Sequence, residues 1–196
     1  ELRLMLIFDA HLDMAWNALE WNRNLILPVS GIREFEQQFE GIIPGPATTS
    51  WDALQKGNVG ISICTLLPRL NRKQKVLTFY QSPEAAYGSC YGQLAYYKAM
   101  VAKGVLREIP DKATLDRHVA EWQSASAQKP PLGYILSMEG SSGIISPAQI
   151  EDFYNAGLRI LGPSHYGPNE YCYGTGSTGG LKERGPELLK EMDRVG

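Results

Sequence analysis

Four short runs along the chain are mainly apolar: Leu4-Met5-Leu6-Ile7-Phe8, which is unbroken, Val59-Gly60-Ile61-Ser62-Ile63-Cys64-Thr65-Leu66, Tyr134-Ile135-Leu136-Ser137-Met138, and the shorter Leu158-Arg159-Ile160-Leu161-Gly162. Continuous rather than alternating hydrophobicity over this length is the mark of strands buried on both faces. Helical signals lie between them. Ser50 reads as the N-cap of a short helix that ends at Gly57, and Ser82-Pro83-Glu84 opens a helix with a cap and a first-position proline. In that helix Leu94, Tyr97 and Val101 share a face, and Gly104 is its stop. Asp111 to Trp122 carries Leu115, Val119 and Trp122 on one side, and Pro130-Pro131 closes it off. Ser146-Pro147 starts a helix ending near Gly157, and a last helix runs from about Gly180 to Arg194 with Gly196 at its C-cap. The polar, Trp-rich stretch from Trp16 to Arg33 reads as a long loop.

Strands alternating with helices predict an α/β protein with a parallel sheet and helices outside it. Two architectures fit, an open doubly wound sheet and a (β/α)8 barrel of the TIM type. No glycine-rich phosphate loop follows the first strand, which counts against the nucleotide-binding open sheet.

Composition narrows the class. The chain has 196 residues, a net charge of -2 and 20% charged residues. That is one domain with a sizeable core and no polyanion-binding surface, so no nucleic acid is expected. No apolar run is long enough to span a bilayer. The chain starts at Glu1 with no initiator Met and shows no signal peptide, so a cytoplasmic and an exported protein both stay open. Cys64, Cys90 and Cys172 are odd in number and lack CxxC spacing, which points to neither a disulfide framework nor a thiolate zinc site. Cys64, inside an apolar run, reads as a core residue.

The chemistry sits where strands end. In Asp9-Ala10-His11-Leu12-Asp13, His11 and Asp13 are two positions apart, so both project to one side. An imidazole and a carboxylate there can bind zinc or a similar ion; the plain alternative is two polar residues capping a helix. Glu139, followed by glycine, ends the third run. A carboxylate in that place needs a cation or strong donors, either a metal or an ion pair with Arg159. His165 follows the fourth run, as a functional group or as a bond to loop backbone. His118, in Asp116-Arg117-His118, reads as solvent-exposed, and Arg184, Glu187, Lys190 and Glu191 as the wet face of the last helix. Polar groups at the C-terminal ends of separate strands favour the barrel.

Four segments are similar to the N-terminal part of the renal (membrane) dipeptidase family, the M19 metallopeptidases. Asp9-Ala10-His11-Leu12-Asp13 resembles its opening Asp-Gly-His-Asn-Asp, and Leu136-Ser137-Met138-Glu139-Gly140 its Ser-Val-Glu-Gly strand end. Gly157 to His165 resembles Gly-Val-Arg-x-Leu-x-Leu-Thr-His. Gly179 to Gly196 resembles a Gly-Leu-Thr-x-x-Gly helix ending in Glu-Met-Asn-Arg-Leu-Gly. Order and approximate spacing are kept over nearly the whole chain. Ala10, Leu12, Ser141 and Ser164 depart from the family residues without removing a ligand.

The resemblance implies a (β/α)8 barrel with two zinc ions, of which residues 1–196 supply about the first four βα units. It implies that His11 and Asp13 bind one zinc, that Glu139 bridges both, and that His165 contacts substrate rather than metal. The implied activity is hydrolysis of the peptide bond of small dipeptides by a hydroxide held between the ions. No proton-handling group is assigned within the chain: that aspartate, and the histidines of the second zinc, are expected beyond Gly196, so the 196 residues alone are expected to be inactive. Other readings are a hydrolase of another small amide, such as a D-amino-acid-containing dipeptide or a β-lactam, or a non-catalytic metal-binding remnant. A homodimer stays open.

Overall fold

Helix starts follow the capping chemistry of the sequence. In the computed structural model, which describes residues 5–43, 45–70, 80–125 and 129–196, Ser50 Oγ accepts from the Ala53 amide at 3.2 Å. Ser82 Oγ accepts from Ala85 at 3.2 Å, and Asp111 Oδ1 from Thr114 at 2.7 Å. The elements are β1 (Ile7–Leu12), α1 (Met14–Glu20), α2 (Val29–Glu36), α3 (Trp51–Lys56), β2 (Val59–Leu66), α4 (Pro83–Ala102), β3 (Leu106–Glu108), α5 (Lys112–Ser124), β4 (Leu132–Glu139), α6 (Gln149–Asn155), β5 (Leu158–Gly162) and α7 (Gly185–Val195). The strands order as β1-β2-β4-β3, with β5 also paired to β4. The pairings of β1 with β2, β3 with β4 and β4 with β5 are parallel.

The chain divides into two compact units. The first comprises residues 1–64 and 97–135; its core includes Trp51, Ile61, Cys64, Tyr97, Leu106, Trp122, Leu132 and Tyr134. The second comprises residues 65–96 and 136–196. There Phe153 of α6, fully buried, meets Tyr91 of α4 with ring centroids 5.1 Å apart, and Leu136, Met138, Leu158 and Leu188 fill the remaining interior. Cys64 and Cys90 are buried and free, and burial pushes both thiols up to about 12. At neutral pH neither supplies a thiolate.

Three expectations are corrected. β1 is not buried on both faces: Phe8 is 53% and Ile7 42% exposed, because β1 stands at one end of the strand order with β2 on a single side. Leu4 of that run lies outside the described residues. The stretch from Trp16 to Arg33 is not a loop, since it holds most of α1 and the start of α2. A fifth strand, β3, appears where only a helix stop was read; three residues are too few for a pattern.

His118 is the largest surprise, with no solvent exposure at all. Its Nε2 lies 2.8 Å from the Gly60 carbonyl and its Nδ1 3.4 Å from an Arg107 nitrogen. Such partners select the neutral ring with the proton on Nε2. Gly133 makes the approach feasible: a Cβ there would stand 2.6 Å from His118 Nε2. Gly60 does the same for Trp122, whose ring a Cβ would meet at 2.9 Å. Two glycines in β2 and β4 thus let α5 settle close to the sheet.

No helix among the described residues is long and apolar enough to cross a membrane.

Burial holds the pKa of His118 below its ordinary value; the bond to the Gly60 carbonyl opposes this and the Arg107 cation adds to it. The folded state therefore takes up this proton less readily than the unfolded chain. Its stability is whole above the unfolded pKa of about 6.5 and is lost as pH falls below it. Denaturant melts between about pH 7.5 and about pH 5 should lose stability more steeply in the native protein than in His118→Gln. Parallel slopes would contradict this account.

Candidate functional site

In the first unit, β1 brings its last residues to an irregular end, with a register shift between Asp9 and Leu12. The Asp9 carboxylate accepts from the His11 amide at 3.0 Å and tightens the chain there. His11 Nε2 and Asp13 Oδ1 lie 3.5 Å apart, so the two expected ligands do share a side. Asp13 is the N-cap residue of α1, yet its side chain makes no capping bond. Its Oδ1 is buried and has no hydrogen-bond partner. A buried carboxylate oxygen without a donor is costly. Beside a histidine nitrogen, such an oxygen has the chemistry to receive a cation. The capping alternative for Asp13 does not hold at α1.

In the second unit, β4 ends at Glu139. Gly140 then takes a φ of +84°, and its amide donates to the Gly162 carbonyl at 2.9 Å. Ser141 adds two bonds to the Pro163 carbonyl, from its amide at 3.2 Å and its hydroxyl at 2.7 Å. These fasten the end of β4 to the end of β5. The chain after β5 then presents His165 Nδ1 to Glu139 Oε1 at 2.7 Å. The side chain of His165 thus meets the carboxylate, while its backbone carbonyl accepts from Thr175 at 2.8 Å. Arg159, the alternative partner weighed for Glu139, donates to the carbonyls of Tyr154 and Leu158 and lies 4.1 Å from the Tyr154 ring.

A cavity of about 260 Å³ opens against this pair. Leu67 to Leu70, Gly140, Ser142 and Tyr166 to Asn169 line it. Asn169, 7% exposed, secures that last segment. Its Nδ2 donates to the Pro163 carbonyl at 2.7 Å, and its Oδ1 accepts from the amides of Tyr171 and Cys172 at 2.8 and 3.0 Å. Sequence reading passed over Asn169 and Arg69. Gly167-Pro168-Asn169 is a turn signal, but nothing local says the asparagine is buried. Tyr166, by contrast, is 73% exposed and packs edge-on to His165.

The sheet is parallel, and each unit carries polar groups at the end of a strand: His11 and Asp13 after β1, Glu139 at the end of β4. The chain matches the model of the membrane dipeptidase family, peptidase family M19, over residues 2–196, and belongs to that family. Among solved structures it is similar to the dipeptidase AC, an M19 metallopeptidase, with 19% identity and a TM-score of 0.70, covering 97% of this chain and 54% of that one. It is also similar to a metallopeptidase from Rhodobacter sphaeroides liganded with a phosphinate mimic of the dipeptide L-Ala-D-Ala, with 15% identity and a TM-score of 0.68, covering 97% and 56%. No curated protein matches the chain. These likenesses decide between the two architectures: the fold is of the (β/α)8 barrel type, and the chain spans about half the length of the structures it matches.

Gly140 offers a direct check. A Cβ there would sit 3.6 Å from the His165 amide, an ordinary contact, so the cost of a side chain is conformational. Gly140→Ala should lose about 1–3 kcal/mol in denaturant unfolding, the cost of holding a Cβ in a backbone region that glycine alone populates readily. A stability change near zero would show that the turn relaxes.

Proposed function

We propose that the complete protein is a metal-dependent dipeptidase and that residues 1–196 are the N-terminal part of its single barrel domain. The observation that carries this is the buried, unpartnered Asp13 Oδ1 beside His11, in a chain of a metallopeptidase family. We assign His11 and Asp13 of the first unit and Glu139 of the second as ligands of a metal ion, each with one ligand atom to offer. Two carboxylates and a neutral imidazole suit zinc, the ion we assign, and their charges offset the dication. Bound there, zinc would acidify a water molecule and polarise a substrate carbonyl. We assign Glu139 to a second ion as well. The other ligands of that ion, and the proton-handling aspartate, then belong to the part of the relatives' length that this chain does not span.

The protein's own groups supply binding and orientation. His165, engaged to Glu139 through Nδ1, keeps Nε2 for a substrate oxygen and steadies the charge that develops there. The cavity of about 260 Å³ suits a small ligand rather than a polypeptide. Arg69 brings a cation to its wall, matched to the carboxylate of a dipeptide. The L-Ala-D-Ala mimic held by the Rhodobacter sphaeroides relative favours a second reading of specificity, in which a D-residue follows the scissile bond.

Two experiments test the reading. His165→Ala should leave zinc content intact and lower dipeptide turnover by about 10²-fold or more, the scale of a lost oxyanion donor. Loss of zinc on that substitution would make His165 a ligand instead. In the full-length protein, plasma emission should count two zinc ions, and a chelator should abolish hydrolysis. Glu139→Gln should lower that count more than His11→Ala does. Two ions retained in Glu139→Gln would refute the shared role, and full zinc loading with no turnover on any dipeptide would refute the activity.

A further inference from the structure

An aspartate at a helix N-terminus ordinarily accepts from the second or third backbone amide of that helix. In α1 the second amide belongs to Ala15, and it donates to the Tyr97 hydroxyl at 3.2 Å. Tyr97 has no solvent exposure and stacks on Tyr134 with ring centroids 5.4 Å apart, so the hydroxyl is held in place. Behind the carboxylate, the Asp13 carbonyl accepts twice from Asn17, from its amide at 3.0 Å and from its side-chain Nδ2 at 2.8 Å. A carboxamide can face either way, and its other partner decides which. That partner is Arg23, whose guanidinium only donates and meets Asn17 Oδ1 at 2.5 Å. Arg23 is itself fixed by Glu36 Oε1 at 2.6 Å and the Gly45 carbonyl at 2.6 Å. Glu36, 8% exposed, is anchored in turn by the Ala47 amide at 2.8 Å.

We propose that Tyr97, Asn17 and Arg23 are positioning residues for Asp13. Tyr97 occupies one of the two amides, that of Ala15, that would otherwise draw the carboxylate onto the helix. The Asn17–Arg23 pair holds the Asp13 backbone from behind. Together they keep the carboxylate available to a cation. The inference rests on the assignment of Asp13 as a metal ligand made above.

The test measures zinc affinity of the metal-stripped full-length protein by chelator competition, alongside the melting temperature of the same metal-free protein. Tyr97→Phe removes one oxygen and frees the Ala15 amide for Asp13. It should weaken zinc binding by about 10–100-fold, the scale of an outer-shell partner, with the metal-free melting temperature unchanged. Asn17→Ala should weaken zinc binding as well, and so should Arg23→Lys, which cannot hold Asn17 and Glu36 with one planar fork. Unaltered affinity in Tyr97→Phe overturns the proposal, whatever its melting temperature does. Asp13→Asn separates the two claims. If it loses zinc while Tyr97→Phe does not, the positioning role alone fails; if it keeps zinc, the metal assignment fails and the positioning role with it.

Discussion

Asp13 stands at the N-terminus of a helix and does not cap it. The oxygen left buried without a donor costs about 1–3 kcal/mol when nothing compensates it, and it persists because the neighbouring groups are spoken for. The Ala15 amide goes to Tyr97, and the Asp13 carbonyl goes to Asn17. One residue separates the end of β1 from the start of α1, so the strand and the helix hold this carboxylate between them. Local stability is given up at this one carboxylate, a departure from the consistency found elsewhere in a fold.

The second unit handles its carboxylate differently. Glu139 has a strong partner in His165, and the work lies in bringing a residue beyond β5 back to the end of β4. Backbone does most of it. Gly140 turns with a positive φ and bonds to Gly162, and Ser141 and Asn169 converge on the Pro163 carbonyl. Gly174 then passes so close to the His165 carbonyl that a Cβ would stand 2.2 Å from it. The glycine-rich character of the loop from Tyr166 to Gly179 is therefore a packing requirement at this point, where chain crosses chain with no room for side chains.

Much of this was legible. Caps at Ser50 and Ser82, the glycine after α3 and the C-cap glycine after α7 all stand where local chemistry puts them. The spacing of His11 and Asp13 at the end of an apolar run correctly announced a pair on one side. Elsewhere the signal was too short or too local. α1 begins directly after a strand and holds seven residues, of which Met14, Ala15 and Trp16 are buried, so tryptophan and asparagine there read as loop. His118 sits among charged neighbours, and only the bare backbone of Gly133 and the carbonyl of Gly60 make a place for it inside.

The chain's own pattern was enough for the α/β class, the strand ends and the donor types, because buried strands must be apolar along their length and a carboxylate at their end must meet a cation or a strong donor. It could not say which polar groups would satisfy one another. Where the Ala15 amide finds its acceptor is decided by Tyr97, 82 residues removed from it in sequence. Whether Glu139 meets His165 depends on where backbone bonds carry the chain after β5. A hydrogen bond forms between groups the fold makes neighbours, and neighbours in space need not be neighbours in sequence; that choice belonged to the tertiary structure alone.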